Sequence, residues 1–323
     1  MRKLFVVLSV VGVLLAACAE DNPTIGGDSG ATQTGDTGAT GATASGPSGP
    51  PATAATCAED IASALKSAGG LTIGTDNPAY PPWFSGGETE ENSDWKIDDP
   101  HTGEGYEAAT AYAVASAMGF SSDQVAWVVA PFNQTYKPGP KDYDFAIEQI
   151  SYSSKRDEAV DFSSSYYDVQ QALVAVKGTP IADATSLADL KDFTIAAPLG
   201  TTSYDYIVGT IQPNTEPGAY NTLSDSVAAL NAGQVDAIVV DAPTSFYLAD
   251  PFVQEVKDGV VVGLFPAAAE QEYFGMAFET GSPLVSCVNL ALEEIKADGS
   301  LDAIHQAWLV ENTNVGEVPE FSS

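Results

Sequence analysis

The chain carries two arginines, Arg2 and Arg156. Only Arg156 lies beyond the N-terminal segment, in a protein that otherwise takes its few cations from lysine. A planar guanidinium fork can hold a carboxylate through two parallel hydrogen bonds, which lysine cannot do. The plainer reading is a surface arginine in a loop beside Lys155. Asp241 closes the apolar run 237–240, where an unpaired carboxylate is costly to bury. It either faces a cation or opens the turn before Ala242 and Pro243. Hydroxyl groups sit at Ser151 and at Thr201 and Thr202, the latter pair after Gly200 and near a helix start. That setting suits an anion, or helix capping, or both. Nucleophilic and metal chemistry find no such support. His101 and His305 are isolated, no Cys-x-x-Cys occurs, and no Walker-type phosphate loop is present. No cofactor or metal is expected.

The elements that must hold these residues alternate. Residues 71–76, 125–130, 143–150 and 172–176 read as strands, with a helix over 105–120. A second cycle follows. It has short helices at 186–190 and from Ser203, a helix over 224–232, and strands over 194–197 and 237–240. Residues 274–278 read as a strand, and 283–296 and 301–308 as helices. Alternation of this kind argues for α/β architecture with mostly parallel sheets, and two cycles argue for two lobes.

The N-terminus has its own signals. Arg2 and Lys3 precede the apolar run 4–17, which is too short to span a bilayer and has the layout of an export signal over 1–17. It ends in Leu15-Ala16-Ala17-Cys18, which resembles the lipobox of bacterial lipoproteins. That resemblance implies acylation of Cys18 and a protein anchored by lipid to the cell membrane, facing the outside. Residues 18–56, rich in Gly, Thr, Ala, Ser, Pro and Asp, read as a flexible linker. Lys and Arg total 12 against 44 Asp and Glu, a formal net charge of −32, so no nucleic-acid partner is expected. Cys57 and Cys287 remain for an oxidising compartment. Two thiols allow one intramolecular pairing, so a Cys57–Cys287 disulfide is expected, with two buried free thiols as the alternative.

Several motifs recur in a telling order. They are Ile73-Gly-Thr-Asp76 with Tyr80-Pro-Pro82, Gly105-Tyr106-Glu107, Ile150 to Arg156 with Asp161, Ser163 and Tyr166, Gly200-Thr-Thr-Ser203, and Gly233 to Asp236 with Asp241. Each is weak alone. In this order, over about 71–308, they resemble the extracellular solute-binding proteins of ABC importers, in the amino-acid-binding branch. The resemblance implies a two-lobed, type II periplasmic-binding-protein-like fold whose crossing strands lie near Val176 and Phe274. Lobe 1 would comprise 57–175 and 273–323, and lobe 2 would comprise 176–272. It implies a hinge that closes the lobes on a ligand held at strand C-terminal ends. Arg156 would clamp the ligand α-carboxylate, with Ser151, Thr201 and Thr202 adding hydrogen bonds. Asp241 would bind the α-ammonium, and Asp76, Tyr80 and Phe132 would line the pocket. The implied partners are an amino acid and an ABC permease with its ATPase, and a monomer is expected.

The chain also departs from the pattern. Residues 75–80 carry one residue more than the usual spacing, 85–104 form an acidic insertion, and Pro138 and Pro140 break the helix usual at 133–142. Gln149 stands where the family usually has Gly or Ser, so its amide either intrudes on the pocket or bonds the ligand. These changes lie toward the ligand's side-chain end and leave its identity open. Two other functions fit the same fold: a dehydratase-like enzyme, for which Glu148 is a conceivable acid or base, and a sensing lipoprotein without transport.

Overall fold

A computed structural model describes residues 53–266, 272–310 and 318–322. The export signal, Cys18 and most of the expected linker lie outside the described residues. The fold begins earlier than the expected linker end at residue 56. Thr53 caps the helix Ala54–Asp60, and Ala54 and Ala58 are buried in the core.

The first strands are β1 (Leu71–Thr75), β2 (Val125–Val129), β3 (Phe145–Ala146), β4 (Asp161–Phe162), β5 (Tyr167–Asp168) and β6 (Gln171–Val176). There follow β7 (Ile195–Pro198), β8 (Gly218–Tyr220), β9 (Ala237–Asp241), β10 (Gly259–Leu264), β11 (Tyr273–Phe274) and β12 (Ala277–Phe278). They build two five-stranded sheets, β2-β1-β3-β12-β4 and β10-β6-β9-β7-β8, one in each lobe. β9 is a near-continuous apolar run and β1, although it carries two threonines, is buried along its whole length, as central strands covered on both faces require. The helices Tyr106–Ala117 and Leu284–Ala297 cover the first sheet, and Thr202–Tyr206 and Leu223–Asn231 flank the second.

The sheets are mixed rather than mostly parallel. β1 runs parallel to β2 and β3, but β12 is antiparallel to β3 and β4. β7 runs parallel to β8 and β9, but β6 is antiparallel to β9 and β10. β6 and β12 follow the crossings between lobes, and each enters its sheet against the direction of its parallel strands.

The crossings themselves form a ribbon in which β5 and β11 pair antiparallel, Tyr167 opposite Phe274. The first crossing therefore lies at Tyr167–Asp168, not near Val176, because β6 already belongs wholly to the second sheet. The expected strand over 274–278 is broken between β11 and β12, and that over 143–150 shrinks to β3. The tail also departs from the expected assignment of 273–323 to lobe 1. Glu320 bridges Leu264, Ser322 bridges Ser186, and buried Phe321 stacks on Phe265 at 5.0 Å, so residues 318–322 pack on lobe 2.

Cys57 and Cys287 form a disulfide with a Cα separation of 5.3 Å, joining the first helix to Leu284–Ala297. Replacing both cysteines by serine is expected to remove about 3 kcal/mol of stability. That is a fall of roughly 5–10 °C in melting temperature, read by circular dichroism. An unchanged melting temperature would show that the bridge does not constrain the unfolded chain. Among the described residues, no helix is long and apolar enough to cross a membrane.

Candidate ligand-binding cleft

Between the lobes lies a cavity of about 480 Å³. Every residue expected from the sequence to bind ligand borders it: Asp76, Tyr80, Phe132, Gln149, Ser151 and Arg156 from one lobe, Thr201, Thr202 and Asp241 from the other. The strand ends explain the convergence. Asp76 follows β1, Gln149 and Ser151 follow β3, Thr201 and Thr202 follow β7, and Asp241 ends β9. Carboxyl ends of parallel strands open into a crevice in α/β sheets.

Arg156 lies in the short helix Ser154–Asp157, capped by the Ser153 hydroxyl. Its guanidinium is buried and reaches both lobes. Nη1 donates to the Ser151 carbonyl and Nη2 to the Gly200 carbonyl, each at 2.7 Å. It lies 4.4 Å from the centre of the Tyr136 ring and 5.5 Å from that of Phe132. Burial pulls its pKa down from the ordinary value, against the pull of Tyr136, Glu272 and Asp205, and an arginine so placed keeps its charge. The fork has donors beyond these two, so a carboxylate can still be bound. Gly200 has φ +79°, and a Cβ there would lie 2.7 Å from the Tyr136 hydroxyl, so the close approach requires glycine.

The hydroxyls are shared between structure and cleft. Thr201 caps Thr202–Tyr206 by accepting from Tyr204 N at 3.1 Å. Thr202 Oγ1 lies 3.2 Å from Ser151 Oγ, which donates to Glu272 Oε1 at 2.7 Å. Asp241 likewise caps the helix Ala242–Leu248, accepting from Thr244 N at 2.9 Å, while bordering the cavity. Burial lifts its pKa to about 6; hydrogen bonds from Thr244 oppose the rise and Glu272 adds to it. The lobes also touch where the Tyr80 hydroxyl meets Ser224 Oγ at 2.6 Å and where Trp83 Nε1 donates to Thr244 Oγ1 at 2.8 Å. The extra residue before Tyr80 thus does not remove it from the cleft. Trp83 is buried beneath the cleft, edge-on to Tyr106, Tyr167 and Phe274.

At the opposite end, Asp76 accepts from Asn77 N at 2.8 Å and from Phe132 N at 3.4 Å. Phe132 packs on Tyr136 at 5.4 Å, forming part of the platform beneath Arg156. Gln149 has φ +52°, and both its backbone N–H and its side-chain amide donate to Glu107. Its amide nitrogen therefore holds Glu107. Glu107 is fully buried and also accepts from the Tyr166 hydroxyl. Burial outweighs these hydrogen bonds and lifts its pKa to about 7. Glu148 borders the cavity, is 4% exposed, and is approached by the Asp76 N–H and the Thr135 hydroxyl without a well-formed hydrogen bond on either carboxylate oxygen.

The sequence reading passed over Tyr136, Glu107 and Glu272 as site residues. Glu107 stood in a recognised motif without a role, Tyr136 in a segment read as a broken helix, and Glu272 in no motif. The acidic insertion is ordered around buried Asp99. It accepts from Thr89 Oγ1, from Asn92 Nδ2 at 2.9 Å, and from His101 N and Nδ1 at 3.0 and 2.7 Å. Burial alone would raise its pKa; these bonds hold it below the usual value.

Comparison with known proteins agrees with this geometry. The family model for bacterial extracellular solute-binding proteins, family 3, matches residues 71–311. The chain is 27% identical over 258 residues to the L-cystine-binding protein TcyJ of Escherichia coli (strain K12), covering 77% of this chain and 86% of that protein. It is 28% identical over 172 residues to the ABC transporter glutamine-binding protein GlnH of Bacillus subtilis (strain 168). That match spans 53% of this chain and 59% of the relative. A solved structure of an ancestral arginine-binding protein bound to arginine superposes with a TM-score of 0.58 at 26% identity, covering 74% of this chain and 98% of that one.

Proposed function

Because the chain belongs to the bacterial extracellular solute-binding proteins of family 3, we propose that it binds an amino acid and delivers it to an ABC permease, acting as a carrier and not as an enzyme. The observation that carries this reading is one cleft with a buried arginine on one lobe and a half-buried carboxylate on the other. The ligand α-carboxylate meets the Arg156 fork, helped by Ser151, Thr201 and Thr202. The α-ammonium meets Asp241. Tyr80 and Phe132 enclose the side chain, and Gln149 acts through Glu107.

A ligand held this way bridges the lobes. It binds the closed state more tightly than the open one and so shifts the population toward closure. The permease then reads the closed state, and its ATPase supplies the energy of transport. The names of the relatives, which bind glutamine, cystine and arginine, support the substrate class. Lipid on Cys18 keeps the monomer at the outer face of the cell membrane, on the linker that precedes Thr53.

Isothermal titration against the twenty common amino acids tests this, after carried-over ligand is stripped by unfolding and refolding. One or a few are expected to bind with micromolar or tighter affinity. Binding of none, by protein shown to be folded, would overturn the proposal.

A further inference from the structure

We propose that Glu148 and Asp76 form a subsite for a cationic side chain, so that the ligand is an amino acid ending in an ammonium or guanidinium group. This rests on the amino-acid reading above.

Strand register places the pair. Gly74 of β1 lies opposite Ala146 of β3 in parallel pairing. Two residues further along each strand are Asp76 and Glu148, side by side at the carboxyl edge, and both border the cavity. Asp76 has well-formed backbone donors, whereas the buried Glu148 carboxyl is only approached by the Asp76 N–H and the Thr135 hydroxyl, without a well-formed hydrogen bond on either oxygen. The Thr135 hydroxyl nearby donates to the Phe132 carbonyl. The titratable groups facing Glu148 are Asp76, Glu107, Tyr136 and Tyr143, none of them a cation. A buried carboxyl with no well-formed hydrogen bond and no cation facing it is unfavourable and calls for an explanation.

Charge counting along the cleft supplies one. The charged residues bordering it are Asp76, Glu148 and Asp241 against Arg156. The α-carboxylate and α-ammonium of an amino acid match Arg156 and Asp241. Two acids then remain at the side-chain end. A terminal ammonium or guanidinium gives Glu148 a cationic donor, which nothing facing it supplies, and offsets the acidity there. A neutral side chain leaves the pair facing each other. Burial and the charges of Asp76 and Glu107 raise the Glu148 pKa well above its ordinary value, and a cation bound beside it favours the ionised carboxylate and so promotes proton release.

The test compares L-arginine and L-lysine with their neutral counterparts L-citrulline and L-norleucine by isothermal titration. Wild type is expected to bind the cationic pair at least about 30-fold more tightly. Glu148→Gln should lose about tenfold or more for arginine and lysine while changing citrulline by less than about threefold. Arginine binding near pH 6, measured in two buffers of different ionisation heat, should release protons from wild type and fewer from Glu148→Gln. If the variant does not fold, the wild-type preference for the cationic pair decides alone, because Asp241 also gives up a proton near pH 6. Preference for any neutral or acidic amino acid, or a cation preference untouched by Glu148→Gln, overturns the subsite and leaves the amino-acid reading standing. Absence of binding by every amino acid, from protein shown to be folded, overturns that reading and the subsite with it.

Discussion

Replacing Arg156 by alanine is expected to weaken amino-acid binding by about 100-fold or more. The guanidinium already sits in a buried frame, oriented by the Ser151 and Gly200 carbonyls and by the faces of Tyr136 and Phe132. Little entropy is lost in aiming it at a carboxylate, so most of its interaction appears as affinity. Lysine should recover part of the loss, because it restores a positive charge but not the planar fork. The alanine variant also loses the Gly200 bond between lobes, so affinity is compared at a temperature well below both melting transitions. Titration showing affinity within about threefold of wild type would remove Arg156 from the ligand site.

Asp241→Asn should weaken binding by roughly 30-fold, the loss of a charge-assisted hydrogen bond to the ligand ammonium. Asparagine caps helices as well as aspartate does, so the helix Ala242–Leu248 should persist and the change reports charge alone. The pH dependence gives a second signature. Burial raises the Asp241 pKa to about 6, and the groups facing it include Glu107, Glu272 and Tyr167. An ammonium binds the ionised carboxylate, so below that value binding must first displace a proton. Affinity should therefore fall as pH drops through 6, by at most about tenfold per unit, with the Asp241 contribution absent from the asparagine variant. Superimposable pH profiles for the two proteins would exclude Asp241 as the ammonium partner.

The cleft was more legible than the sheets that form it. Arg156 stood out by rarity and by what its geometry alone can do, and Asp241 by a charge at the end of an apolar run. Both are local properties. β1 and the helix Tyr106–Ala117 were legible for the same reason, since a short strand run with a polar tip and a helical run stopped at Gly119 are written in neighbouring residues. Sheet direction is not local. β12 pairs with β3 and β4 across more than a hundred residues of chain, and nothing near Ala277 encodes that it enters antiparallel. Gln149 shows the same limit at one position. Its type suggested a polar group facing the ligand, but a left-handed backbone and the buried Glu107 turn its amide inward. Glu272 gains its place beside Ser151 only when the second crossing is laid against the first.

The tail of the chain sets a mechanical bound on the carrier. Val310 ends the helical segment on one lobe, and Val318 begins the stretch that packs on the other. Eight peptide steps separate them, and a fully extended chain of that length reaches roughly 28 Å. However far the cleft gapes to admit or discharge its cargo, these two valines stay within that leash while Phe321 keeps its seat against Phe265. On the proposed closure of the lobes, the travel of the hinge is thus capped by contour length for as long as that seat holds.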